Sequence, residues 1–430
     1  MLSKSSKLAP KVKSSSPLEG LTLHFLKTEI EDVITLRGSF LGGDVFAVDN
    51  IVVPEITAAM LDLGTQKRDK FEISDALESV GAKLAFASGR YRVQFSGKCL
   101  RENLPLLIEL LAEQLLIPAY KKKDLQSVVQ RRTAEMRKAK EDTRTRAIET
   151  FLMELYPEGH PNRAMGLDRQ IENTQKVTTK QLQSFHGVNY GLGTAHICFV
   201  GDVDYRIAEE EVVKRFCEWE KSPLTLKTAT KSQANIIGGS LSKVVHIPDK
   251  TSADVVTGHG IGIDREHEDY YAVMMSHFIL GGNFSARLMA TVRDKEGLTY
   301  GIQSSTGGVE EGNDGYWYIW GTFAPDIIDK AKKSIEKQLN LWLREGISGD
   351  ELETKKRTIS GMYQVGLDTT SGLANRILTT VERSKELSFM DEYPNLINSL
   401  TLEQVNSAIH SYCDPGKRIT VVAGTLNGTD

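Results

Sequence analysis

The chain repeats itself over a long period. His24, Asp32, Val33, Thr35 and Gly38 recur as His246, Asp254, Val255, Thr257 and Gly260, every pair 222 residues apart. The strand-like FVGDV at 199–203 has a counterpart in VAGTL close to the C-terminus. A period of this length means tandem homologous domains rather than a solenoid, and 430 residues exceed what one core usually serves. Each half reads as strands in meander-like pairs with amphipathic helices grouped between them. The expected fold is therefore α+β: two tandem domains, each a largely antiparallel sheet with helices packed on one face. Residues 1–19 read as a disordered basic arm, 20–220 as the first domain, 221–242 as a polar linker with a Gly-Gly pair, and 243–430 as the second domain.

Charge and composition remove several functions. The net charge of −4 leaves no global basic field for nucleic acid. The cluster RRTAEMRKAKED at 131–142 is interrupted by acids and has no aromatic platform, so it reads as a solvated helix face. No apolar run of 18 residues exists, which argues against a helical membrane span. Cys99, Cys198, Cys217 and Cys413 are scattered and form no C-x-x-C, so neither a zinc ribbon nor a redox motif is expected. The N-terminus lacks the apolar centre of a secretory signal. As written, the sequence points to the cytoplasm, or to the periplasm if a leader has been removed.

A catalytic constellation is missing. The nine histidines fall in no H-x-x-E-H or H-x-x-x-H, and neither a G-x-S-x-G elbow nor a phosphate-binding loop is present. The most structured stretch is LGGNFSARLMATVRDKEGLTY, 280–300. Gly281 and Gly282 end one element, and Ser285 is placed to cap a helix. Leu288 and Val292 share a helical face, with Arg287, Arg293 and Asp294 toward water. Gly297 sits where a C′ glycine would stop the helix, and Leu298 leads into a strand that carries Tyr300.

That stretch closely resembles the C-terminal-half signature of the M16 (pitrilysin / mitochondrial processing peptidase-like) metallopeptidases. Gly282, Ser285, Arg287, Leu288, Arg293, Gly297, Leu298 and Tyr300 fall in place, with Ala286 intervening between the serine and its arginine. The resemblance covers about 20–430 and implies the M16 (LuxS-like metallohydrolase) fold. It implies further that Arg293 and Tyr300 are the pair that helps to hold substrate backbone near the metal. The family's zinc motif belongs in the first half, ahead of a glycine–threonine matched by Gly64-Thr65. The family's spacing puts Glu55 at the first histidine, Ala58 at the catalytic glutamate and Ala59 at the second histidine. The third ligand falls on Glu135. One ligand of three survives in kind, and catalytic zinc needs three protein donors and a water. No cofactor is expected in this chain.

The resemblance thus implies a zinc-motif-lacking, non-catalytic subunit of a heterodimeric zinc metallopeptidase. Its partner would be an M16 subunit carrying H-x-x-E-H and the zinc, and the pair would enclose an extended peptide in a clamshell. Arg293 and Tyr300 would act in trans. A structural M16-like subunit without a role in chemistry, and a stand-alone peptide-binding homodimer, are the alternatives.

Overall fold

Eleven strands carry the architecture of the computed structural model, which describes residues 7–226 and 239–426. In the first half these are β1 (Lys13–Leu18), β2 (Leu21–Lys27), β3 (Val33–Leu41), β4 (Lys83–Ser88), β5 (Arg92–Leu100) and β6 (Ala195–Gly201). The second half supplies β7 (Leu241–His246), β8 (Ala253–Gly260), β9 (Ile302–Gly307), β10 (Tyr316–Phe323) and β11 (Ile419–Gly424). The first sheet has the order β1-β2-β6-β3-β5-β4 and the second β7-β11-β8-β10-β9. Without β1, the two orders are the same. Each sheet is antiparallel apart from one parallel pair, β2 with β6 and β7 with β11. The α+β duplication inferred from the sequence is therefore present in the topology.

Its register differs from the 222-residue offset. Gly201 and Gly424 end the two equivalent strands, both with positive φ (132° and 151°). The residues before them, Val200 and Ala423, face Thr35 and Asp254, which are 219 apart. Lys27 and His246, opposite the two glycines, are also 219 apart. The identities at 222 thus fall on positions three residues out of structural alignment, and because side chains alternate along a strand they face opposite sides of the sheet.

The central strands read as near-continuous apolar runs because both faces of each sheet are covered. Leu23, Leu26, Ile34, Leu36, Phe40, Phe199 and Val200 are completely buried. The chain forms two compact units that cut across the contiguous spans 20–220 and 243–430. One draws on the chain up to Thr133, on the stretch beginning at Glu172 and on Gly361–Asn395. The other draws on Ala134–Ile171, on the stretch ending at Ser360 and on the segment from Leu396. Each half lends a helix to the other's sheet. In the first unit the helix Thr370–Glu382 lays Leu373, Ala374, Ile377 and Leu378 on Leu26, Cys198 and Val200. Thr370 Oγ1 lies 2.7 Å from Thr35 Oγ1 on β3, and Glu382 pairs with Arg92 at 3.4 Å. In the second unit the helix Thr143–Leu155 lays Ala147, Phe151 and Leu155 on Val256, Ile419, Val421 and Ala423. Thr143 Oγ1 donates to Asp254 there, and the same carboxylate accepts from Trp320 Nε1 at 2.7 Å and Thr322 Oγ1 at 2.6 Å. Burying each such Leu or Phe contributes about 1.5–3 kcal/mol. These borrowed helices cover the sheet faces opposite those on which the other helices group.

The basic arm is not disordered from residue 7 onward. Lys13 pairs with Phe25 and Ser14 with His24, so β1 becomes the outer strand of the first sheet. Ser14 Oγ lies 2.8 Å from His24 Nδ1. Leu8 is buried with the borrowed helix, and the backbone N–H groups of Leu8 and Ala9 donate to Asp391 at 2.7 and 3.0 Å. A hydroxyl-rich strand offers no apolar alternation to the eye; its partners come from elsewhere in the chain. Residues 1–6 lie outside the described residues. Of the expected linker 221–242, residues 227–238 lie outside them as well, while Lys221 bridges to Leu192 and Leu241 opens β7. Among the described residues no helix is long and apolar enough to cross a membrane.

Candidate functional site

The stretch 280–300 belongs to the second unit and is held at several points. Gly281 ends the helix Tyr270–Gly281 against β9, where a Cβ would lie 2.4 Å from the Ser304 nitrogen. Only glycine permits that approach. Leu288 and Val292 are fully buried, as the helical pattern required. Val292 lies on a π-helix, Met289–Lys295, which follows directly on Leu288 and is closed by Glu296 N–H to Thr291 O at 3.0 Å. Such single-turn insertions recur at functional sites. Gly297 stops it with φ +63°. Ser285 does not cap: its hydroxyl and carbonyl both accept from the Lys355 ammonium, at 2.8 and 3.0 Å. Nor does Arg287 simply face water, since it forms a two-point pair with Glu351 on the helix Gly349–Gly366.

Arg293 and Tyr300 emerge from this pinned segment. The Arg293 side chain is 35% exposed, and its nearest carboxylate is its neighbour Asp294 at 3.9 Å. Its guanidinium lies 5.3 Å from the ring centroid of Phe284. Tyr300 precedes β9 rather than lying in it and is 96% exposed. Beside it, Thr299 Oγ1 donates to the Thr322 carbonyl and accepts from Gly301 N–H at 3.0 Å, which fixes the backbone under an unconfined ring. The site therefore offers a guanidinium with donors to spare, a phenol and an aromatic face.

The positions expected to be degenerate lie on two helices. Glu55, Ala58 and Ala59 are on Val53–Ala59 in the first unit. Ala58 is buried and Ala59 half-buried, and neither has a donor atom for a metal. Glu55 accepts a hydrogen bond from Arg132, on the helix Lys122–Ala139. Glu135, exposed, lies one turn beyond Arg132 on that helix. The Glu55 carboxylate, at the position of the first histidine, is thus neutralised by a guanidinium, which would repel a dication. Among the described residues no group of three His, Cys, Asp or Glu side chains is arranged to hold a metal ion. Zinc does not fit this donor set. Sequence reasoning missed Arg132 because it sits within a charge cluster that reads as a solvated helix face.

Asp44 completes that cluster from the short turn Asp44–Phe46. One of its carboxylate oxygens is buried without a hydrogen-bond partner. Burial, and then the Glu55 charge, push its pKa up to about 7, against the opposing pull of Arg90 and Arg132. The folded state holds this proton between about pH 4 and 7, where an unfolded aspartate has released it. Its contribution to stability is accordingly present at low pH and lost as pH rises through 7. Asp44→Asn should raise the urea midpoint at pH 8 by an amount equivalent to roughly 2 kcal/mol, with the difference from the parent shrinking by pH 5. A pH-independent difference would contradict a protonated Asp44.

Two stretches of the chain match protein-family models. Residues 176–359 match a family model described as Peptidase M16 inactive domain. Residues 56–164 match Insulinase (Peptidase family M16). An uncharacterized zinc protease of Streptomyces coelicolor is 25% identical over 325 residues, covering 74% of this chain and 69% of that protein. A non-peptidase homolog of Helicobacter pylori is 22% identical over 376 residues, covering 87% and 84%. Among solved structures, a peptidase M16 inactive domain from Pseudomonas fluorescens superposes with a TM-score of 0.86 at 23% identity, covering 97% of this chain and 99% of that one. That likeness concerns the fold. With both halves matched in order by models of one family, and with the duplicated sheets on which the Arg–Tyr segment is mounted, the chain belongs to the M16 peptidase family.

Proposed function

We propose that this chain is the non-catalytic subunit of a heterodimeric M16-type zinc metallopeptidase. The observation that carries the reading is an asymmetry within one molecule. Arg293 and Tyr300 are presented on a pinned junction, while the metal positions hold Ala58, Ala59 and a Glu55 already bound to Arg132. A chain that retains substrate-binding groups without a metal to serve is best explained by a metal on a partner. That partner would be an H-x-x-E-H subunit of the same family, and the zinc it brings would activate water. In this chain, Arg293 donates charge-assisted hydrogen bonds to peptide carbonyls. The Tyr300 phenol donates to oxygen as negative charge develops on it. Among the described residues β9, which begins two residues after Tyr300, pairs only with β10. An extended peptide added to that edge would run beside Tyr300.

The test is reconstitution. Mixed with a zinc-bearing M16 subunit from the same organism, the chain should co-elute with it and the pair should cleave a quenched fluorescent peptide. Each subunit alone should be at least tenfold slower, and metal analysis of this chain alone should find no stoichiometric zinc. Stoichiometric zinc here, or full activity of the partner alone, would overturn the reading.

A further inference from the structure

Phe284 lies on the loop between the helix Tyr270–Gly281 and the π-helical turn, and no step so far uses it. Its ring is 77% exposed. Exposed aromatics on mobile loops can fold back onto the protein, but this loop is tied down on both sides of the ring. The Lys355 ammonium donates to Asn283 Oδ1 at 2.8 Å, to Ser285 Oγ at 2.8 Å and to the Ser285 carbonyl at 3.0 Å. Lys355 is itself 3% exposed, and its three donors are all used on the two residues flanking Phe284. The Ala286 N–H closes the turn onto the Asn283 carbonyl at 3.1 Å, and Arg287 is locked by Glu351. A ring presented on a pre-ordered loop loses little conformational freedom when it is covered.

Covering it also has a defined direction. The Arg293 guanidinium lies against the ring, 5.3 Å from its centroid. One short segment thus places donors for a backbone carbonyl beside an apolar face. An extended peptide satisfies both when a bulky apolar side chain adjoins the carbonyl that Arg293 holds. We propose that Phe284 is a specificity-determining residue, selecting peptides with a large apolar side chain next to the carbonyl bound by Arg293, and that Lys355 is a positioning residue that holds the ring in place. The proposal rests on the peptide-handling role given to Arg293 above.

The test uses the chain by itself and two fluorescein-labelled extended peptides that differ at one central position, leucine or alanine. Binding is read by fluorescence anisotropy. The parent chain should prefer the leucine peptide about tenfold, the scale of a few methylenes in an apolar contact. Phe284→Ala should reduce that preference below twofold while changing affinity for the alanine peptide less than twofold. Lys355→Met, with helix content unchanged by circular dichroism, should lower the preference in the same selective way. Arg293→Ala should weaken both peptides alike. A parent without preference, or a Phe284→Ala variant that weakens both peptides equally, would overturn the role of Phe284 and leave that of Arg293 standing. Preference lost in Phe284→Ala with Arg293→Ala inert would support the ring contact and overturn the role of Arg293. A parent that binds neither peptide overturns both. If Phe284→Ala instead splits an oligomer on size exclusion, another chain covers the ring and the proposal fails.

Discussion

Arg293→Ala in the reconstituted pair is expected to lower kcat/KM by about 100-fold to 1,000-fold, and Tyr300→Phe to lower kcat by about 100-fold with KM little changed. The two losses differ because the two groups act at different stages. A guanidinium on peptide carbonyls is engaged in the bound complex and in the transition state, so its removal affects both parameters. A phenol aimed at a developing oxyanion matters mainly once charge appears, and removal of one such donor typically costs 10²–10³ in kcat. Neither substitution has a structural reason to unfold the chain. Tyr300 is 96% exposed, and among the described residues Arg293 has no carboxylate closer than 3.9 Å. Surface changes of this kind move stability by about 0.5 kcal/mol or less. Thermal midpoints equal to that of the parent, with lost activity, would separate function from folding. Unchanged rates in both variants would remove the catalytic role and leave a scaffold subunit.

Asp254→Ala is the largest stability change the structure suggests, about 3–5 kcal/mol by urea denaturation. The carboxylate is 3% exposed on β8 and accepts from Thr143 on the borrowed helix and from Trp320 and Thr322 on β10. Alanine leaves one buried and two half-buried donors without their acceptor and opens the seam between helix and sheet. Asp254→Asn keeps one oxygen for the two β10 donors and can offer its amide to the Thr143 hydroxyl. It should cost less than half as much. Equal losses for the two variants would assign the effect to charge and not to the number of acceptors.

The stretch 280–300 was legible where its chemistry is local. Leu288 and Val292 announce a buried face four residues apart, and Gly297 announces a stop that only positive φ provides. The π-helical winding was not legible, because it depends on which carbonyl the Glu296 N–H reaches and not on residue type. Ser285 carries the signature of a cap and serves instead as a ligand for Lys355, 70 residues away. Arg287 likewise finds Glu351 at a separation of 64. Ala58 and Ala59 were readable as lacking donor atoms, but the guanidinium that neutralises Glu55 lay hidden in a cluster that looked solvated. The duplication was visible in the order of strands, while the offset of its identities was not the offset of its sheets. The edge strand β1 was missed because serines and lysines give no periodic apolar signal, and its partners lie on β2 and around Asp391.

The exchanged helices also bear on how the polypeptide is made. β6 of the first sheet ends at Gly201, yet the helix that covers its second face begins only at Thr370. At translation rates of about 5–20 residues per second, roughly 10–30 s pass between the emergence of the two. Throughout that interval Leu26, Cys198 and Val200 have Leu8 beside them but lack the cover of Leu373, Ala374, Ile377 and Leu378. A first sheet formed in that interval would therefore keep one apolar face incompletely covered until the helix Thr370–Glu382 emerges. Completion of the first unit waits on nearly the whole sequence.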